Sequence, residues 1–274
     1  MTEIVFLYIC NVYNFRAVII CLFFCPMWVF SADTASVASS KHSNYRNTVL
    51  LCMNYGRQAP IGLLSKRFGG SNSVGFTLAY KFGKNFQVQG GVNTIFSGQV
   101  KESGILDSMI GNGGLLIDNT GTYADVRMYE RGYNWHIDFG KIIPLGSFER
   151  NSGLLITGGL GFMQHKLKFT FQRTVLPQLE NNYYKGYDRL TNGLMLRGFV
   201  GYQRIDPKGR MNFYAGMELL NGFTKNRRSY NYDTRKADTE LRNDMLLGLK
   251  IGIMISLSGR QAGNKKGEEE RFFE

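Results

Sequence analysis

From residue 245 onward the chain repeats with a period of two: Met245, Leu247, Leu249, Ile251, Ile253, Ile255 and Leu257 are apolar, while Gly248, Lys250, Gly252 and Ser256 lie between them. A strand sends successive side chains to opposite faces, so this segment predicts one greasy face and one small or charged face. Upstream the pattern recurs. Val74, Phe76, Leu78, Tyr80 and Phe82 alternate with Gly75, Thr77, Ala79 and Lys81, and Phe86, Val88, Val92 and Phe96 with Gln87, Gln89, Asn93 and Ser97. Gly83-Lys84-Asn85 between them predicts a hairpin. Tyr133, Trp135, Ile137 and Phe139 oppose Asn134, His136, Asp138 and Gly140; Leu154, Ile156, Leu160 and Phe162 oppose Thr157, Gly159, Gly161 and Met163. Leu194, Leu196, Val200 and Tyr202 oppose Arg197, Gly201 and Gln203, and Phe213, Ala215, Met217 and Leu219 oppose Asn212, Tyr214, Gly216 and Glu218. With Val49, Leu51, Met53 and Tyr55 as a first strand, this makes eight, an even number that suits closure of an antiparallel up-and-down barrel.

Connections between these strands alternate in length. Residues 56–72, 101–127, 172–190 and 225–241 are expected as long loops, and 83–85, 145–152 and 206–209 as short ones. Outer-membrane barrels have short periplasmic turns and long outer loops, which would leave both termini in the periplasm. Phe82, Phe86, Tyr202 and Phe213 would then form an aromatic girdle near the inner turns.

Alternation alone fits a water-soluble, lipocalin-like carrier as well as a membrane barrel. The membrane arrangement is favoured because the apolar faces are too large and aromatic for a small lumen, the opposite faces are rich in glycine and amides, and the strands reach about ten residues. Lys81, His136, Asp138, Arg197, Glu218 and Lys250 would then form a lumenal charge cluster. If Ile205 pairs with Arg210 across Asp206-Pro207-Lys208-Gly209, Arg197 falls directly opposite Glu218 and the two form an ion pair inside a plugged barrel.

At the start, Ala17 to Phe30 is an unbroken apolar run after Arg16 and before Ser31 and Ala32, the layout of a secretory signal. A cut after Ser31 places Val29 and Ser31 at the positions that prefer small residues, although the stretch ahead of Arg16 is long for such a leader. The run falls short of the ~20 residues of a membrane-spanning helix. Phe24 directly before Cys25 argues against a lipoprotein. The expected division is a signal peptide at 1–31, a periplasmic segment at 32–47, a barrel at 48–257 and a charged periplasmic tail at 258–274.

Composition agrees: 33 glycines, 5 prolines and 14% aromatics over 274 residues suit strands and turns. A mean hydropathy of −0.20 excludes a helical membrane protein. The formal charge of +12 is spread, and its densest stretch, Lys225 to Lys236, also carries aspartate. That pattern speaks for an anionic lipid surface and against nucleic acid. Cys10, Cys21 and Cys25 would leave with the signal, so Cys52 has no internal disulfide partner, and no metal-ligand spacing occurs.

Two long loops carry tyrosine with charge: Tyr183, Tyr184, Lys185, Tyr187, Asp188 and Arg189 in one, Arg227, Arg228, Tyr230, Tyr232, Asp233 and Arg235 in the other. Such residues suit a binding surface. They equally suit loops that pack on one another.

The segments Tyr129 to Leu145, Gly161 to Lys166, Val175 to Leu179, Tyr184 to Gly193 and Asn212 to Arg235 resemble a family of small outer-membrane barrels of the Bacteroidota type, with the OmpA/OmpX-like eight-stranded architecture. The resemblance implies location and fold, and it carries over no catalytic residues. One departure is that the last strand stops at Leu257 before a charged tail, which leaves an internal insertion signal or one served by Phe272 and Phe273.

Of three histidines, His42 lies in the first segment, while His136 and His165 fall on inferred lumen faces, where Ser97 and Thr157 supply hydroxyls. Nothing in the sequence brings a nucleophile to a base, and a lumenal hydrogen-bond network accounts for the same residues. No catalytic, cofactor or metal site is therefore expected. The function expected is a non-enzymatic outer-membrane barrel, structural or adhesive or part of an envelope assembly, secretion included, whose partners are outer-membrane lipid, lipopolysaccharide or an envelope protein. The alternatives are a lipid-modifying enzyme, a narrow channel and a soluble lipocalin-like carrier.

Overall fold

The computed structural model describes residues 47–102, 104–110, 116–145, 151–171, 176, 179, 183–206 and 211–257. The expected leader, His42 and the charged tail with Phe272 and Phe273 lie outside the described residues.

Eight long strands form the ring: β1 (Thr48–Ile61), β2 (Ser71–Phe82), β3 (Phe86–Ser97), β6 (Val126–Pro144), β7 (Gly153–Phe171), β8 (Thr191–Arg204), β9 (Asn212–Asn226) and β10 (Leu241–Ser256). Two short strands, β4 (Leu116–Ile117) and β5 (Tyr123–Ala124), make a separate hairpin in the loop after β3. Each long strand pairs antiparallel with its neighbours, and β1 with β10 closes the barrel from Leu50 opposite Ser256 to Ile61 opposite Met245. Closure leaves no sheet edge, the condition for strands in lipid.

Strand alternation survives as outward and inward faces. Leu247, Ile251 and Ile255 point outward and are 37%, 53% and 61% exposed, while Lys250 between them is buried. The apolar residues named above on the other strands share the same outer surface, Phe76, Val92, Leu196 and Met217 among them exposed and others, such as Val74, Phe96 and Phe162, half-buried against their neighbours. A carrier in water would have the reverse polarity. An apolar exterior around a polar interior is the arrangement of a transmembrane β-barrel, and the soluble-carrier alternative is excluded.

At the short-turn end, Gly83 (φ 53°) and Asn85 (φ 68°) take the left-handed backbone that closes a tight hairpin, and Phe82 pairs with Phe86. The expected girdle is there and is wider than its four residues: Tyr80, Phe82, Phe86 and Phe139 stack in succession at 5.7 Å, 6.2 Å and 5.8 Å, and Tyr202 meets Phe213 at 6.4 Å.

Three expectations need correction. Residues 56–61 continue β1 instead of starting a loop, and β6 and β7, at 19 residues each, run well beyond the segments that alternate in sequence. About ten tilted residues cross a bilayer, so these two strands project past it on the long-loop side. The β8–β9 ladder is shifted by two: Arg197 pairs with Leu220 and Glu218 with Phe199. The inside is also more apolar than glycines, amides and ions alone. Leu50, Cys52, Ala79, Ile142, Leu155, Phe199, Tyr214 and Met254 form one buried cluster at the short-turn end. Leu64, Phe68, Ile95, Ile105, Met163, Leu167, Leu220 and Leu246 belong to a second beneath the long loops, part of which comes from the short helix α1 (Leu64–Arg67) and its neighbours.

Glycine on the inner face makes room for these rings. Gly201 and Gly216 pair with each other, and a methyl group on either would stand 2.7 Å or 2.8 Å from Phe199 Cζ. The ring lies on bare backbone, and its edge meets Tyr214 at 5.6 Å.

Candidate functional site

Between the two apolar clusters lies an ionic layer. Arg197 Nε donates to Glu218 Oε1 at 2.7 Å, and Lys250 Nζ donates to the same oxygen at 2.9 Å. Arg197 Nη1 also donates to Asp138 Oδ2. Neutral amides complete the layer: Gln58 Nε2 donates to Glu218 Oε2 at 3.0 Å, Gln89 Nε2 to Asp138 Oδ2 at 2.8 Å, and Lys250 Nζ to Asn93 Oδ1 at 3.3 Å. Two carboxylates thus balance two cations, with ligands drawn from β1, β3, β6, β8, β9 and β10. The four ions are 1% to 6% exposed. Buried charges persist only when paired and hydrogen-bonded, and here each is.

The six charged lumen residues expected from sequence do not all meet. Asp138, Arg197, Glu218 and Lys250 form the layer just described. His136 adjoins it, with Nε2 3.7 Å from Asp138 Oδ2, and its ring lies on Gly91, where a methyl group would stand 2.9 Å from Nε2. Lys81 is buried at the short-turn end, where its Nζ donates to Asn151 Oδ1 at 2.6 Å. The shift in register explains why the ion pair forms without direct opposition: Arg197 reaches diagonally to Glu218 on the same inner face.

A second polar group lies nearer the loops. His165 Nε2 is 2.9 Å from Asp244 Oδ2, and Thr224 Oγ1 donates to that same oxygen. The carboxylate sits between histidine and hydroxyl, so the imidazole does not reach the hydroxyl as it does in a nucleophile–histidine–acid arrangement. Phe68 covers the imidazole edge-on at 5.6 Å, and all three residues are buried. Ser97 Oγ donates to the carbonyl of Gly70 at 2.7 Å. Among the described residues no group of three histidine, cysteine or acidic side chains could hold a metal ion. Asp244 and Glu130 face inward on strand ends that sequence reading left outside the strands.

At the long-loop end, Arg189 bridges Glu102 at 2.7 Å and also bonds Asp233, tying three loops together. Burial opposes its charge, but Glu102 and Asp233 more than offset this and hold its pKa above the ordinary arginine value. Arg228 makes a two-pronged pair with the fully buried Asp188, its Nε at 2.7 Å, and Arg227 Nε donates to Asn192 Oδ1. Tyr232 contacts Tyr187 edge-on at 5.4 Å, Tyr230 at 6.1 Å and Tyr183 at 6.4 Å, and its amide donates to the Gly186 carbonyl at 3.0 Å. Tyr184 lies 6.0 Å from Lys166 Nζ. The loop residues singled out in sequence therefore pack on one another, while Tyr183, Tyr230, Tyr232 and Arg227 keep an exposed face.

No protein-family model matches the chain, and no curated protein matches it. Among solved structures, Ail, the attachment invasion locus protein of Yersinia pestis, in complex with the heparin analogue sucrose octasulfate, is 10% identical over 76% of this chain and 99% of its own, with a TM-score of 0.38. Neisserial surface protein A is 9% identical over 76% and 96%, with a TM-score of 0.36. The N-terminal β-barrel domain of Pseudomonas aeruginosa OprF is 8% identical over 77% and 100%, with a TM-score of 0.33. The likeness concerns fold, and function has to come from the chain's own residues.

Proposed function

We propose that the chain is an exported, non-enzymatic barrel of the bacterial outer membrane, of the Bacteroidota type, freed of its leader after residue 31. Its long loops form the working surface, in contact with lipopolysaccharide or an envelope protein, and it serves as an adhesive or structural component of an envelope assembly, secretion included. The observation that carries this reading is the blocked lumen. Apolar clusters lie on both sides of the ionic layer, and the cavity lined by Cys52, Gln87, Arg197 and Tyr214 measures about 10 Å³, room for about one water. Among the described residues the lumen is filled in this way and this cavity is too small for a substrate, which favours the loops as the working surface.

Planar-bilayer recording of the purified barrel tests it, with no single-channel steps expected; regular steps would overturn the plugged lumen. Alanine at His136 and at His165 is expected to leave the lipid A and phospholipid profile of the host membrane unchanged. An altered profile from a folded variant would instead establish a lipid-modifying enzyme.

A further inference from the structure

Charge sign is divided between the two faces of the barrel. Glu130, Asp138, Glu218 and Asp244, the acidic residues of the eight long strands, are all buried inward. The charged residues facing outward on those strands are cations: Arg57, Arg127, Arg131, Lys166, Lys168 and Lys225 at the long-loop margin, Lys141 and Arg204 at the short-turn margin. Arg131 and Lys141 lie on β6 roughly ten residues apart, which at about 3.3 Å per residue and about 40° of tilt is about 25 Å along the membrane normal, the height of an apolar band. The two rows of cations therefore stand at the two headgroup levels.

On the projecting β6–β7 ribbon this arrangement becomes local. Arg131 pairs directly with Lys166, and Tyr129 with Lys168. Like charges directly opposite each other destabilise a sheet. Arg131 is stacked on Tyr129 at 5.2 Å and donates to its neighbour's carbonyl, and Lys166 lies over Tyr184, so neither has a carboxylate within ion-pair distance among the described residues. One step toward the lipid come Tyr133 and Trp135, both half exposed, with Trp135 stacked on Phe162 at 6.3 Å. A fork of cations set above an aromatic anchor matches a phosphate at the top of an acyl chain.

We propose that Arg131 and Lys166, with Lys168 beside them, bind the phosphate of an anionic lipid in the leaflet on the long-loop side. The anion relieves the repulsion across the β6–β7 ladder and fixes the barrel's depth. This rests on the membrane reading above.

Trp135 on the same outer face supplies the probe. In a Trp28→Phe background, the full chain folded into phosphatidylcholine nanodiscs is titrated with brominated phosphatidylglycerol or, separately, brominated phosphatidylcholine, and quenching of Trp135 is recorded. Preference for the anionic lipid of about ten-fold is expected, since each cation at a membrane surface contributes severalfold. Arg131→Gln with Lys166→Gln should abolish it, and Lys141→Gln at the opposite margin should leave it intact. Equal quenching by both lipids, or a preference that survives the double substitution, would overturn the proposal. So would loss of the preference on adding inorganic phosphate, which would make the site one for free anions. Heat-modifiable gel migration keeps the readings apart: a chain that never folds into the disc fails the membrane reading, whereas a folded barrel without preference fails this one.

Discussion

Arg197 stands directly across the β8–β9 ladder from Leu220, yet its Nε donates to Glu218 Oε1 at 2.7 Å, a diagonal step along the same inner face. Glu218 also receives Lys250 and Gln58, so this one carboxylate holds β1, β8, β9 and β10 together across the lumen. Glu218→Leu leaves two buried cations short of a partner and is expected to cost about 3–5 kcal/mol. Adding Lys250→Met removes one of the stranded charges and should recover part of that loss. Urea unfolding in lipid vesicles, followed by gel migration, measures both; a double variant no more stable than the single one would remove Lys250 from the network.

Phe199 lies on the paired backbones of Gly201 and Gly216. Gly216→Ala puts a methyl group into the ring and is expected to cost about 1–3 kcal/mol. On the same strand as Gly201, a methyl group added at Gly198 would meet nothing within 4 Å, so Gly198→Ala should change stability far less. The difference between these two unfolding midpoints is the measurement, and equal midpoints would mean that the ring and the facing backbone, whose Val200 carbonyl and Gly201 Cα stand closest to the added methyl group, both give way freely.

How much of this was legible follows from where each residue meets lipid. The eight strands are legible because between the girdles the solvent is apolar, and every outward residue must be too. Above that level the signal ends while the backbone continues. Tyr129 and Arg131 face outward on β6 just as Trp135 does, but at headgroup height, so the alternation that would have revealed inward Glu130 vanishes. The same holds for Asp244 at the outer end of β10. Leu50, Phe199 and Met254 break the expected polar inner face, and only closure of the ring shows that they belong to one cluster. Loop pairs are still less visible: Glu102 and Arg189 are 87 residues apart, and no local pattern announces their contact.

Asp188 is fully buried beneath the loops and receives both prongs of Arg228. Arg228→Ala strands the carboxylate, so the loop at 227–240 should open, at a local cost of about 1.5–3 kcal/mol. The barrel below is closed independently and should hold. Limited proteolysis is expected to cut this loop about ten-fold faster than in the parent chain while gel migration stays unchanged. Loss of both together would show that the loops and the barrel unfold as one unit.

The β4–β5 hairpin gives a pH signature away from the membrane. Hydrogen bonds from the Thr122 hydroxyl and then from the Thr120 hydroxyl and the amides of both residues hold the Asp118 carboxyl down to about 2, from an ordinary 3.8. A carboxyl whose folded pKa is depressed contributes stability above its unfolded value, and that contribution is lost as pH falls through the folded one. The turn should therefore be intact at pH 5, weaken below about 4 and be lost near 2. Amide resonances of Thr120 and Thr122, followed by NMR through that window, report it. Asp118→Asn keeps acceptor oxygen but removes the titration, so its two amide shifts should be flat across the same range; shifts that still move with pH would assign the transition to another group.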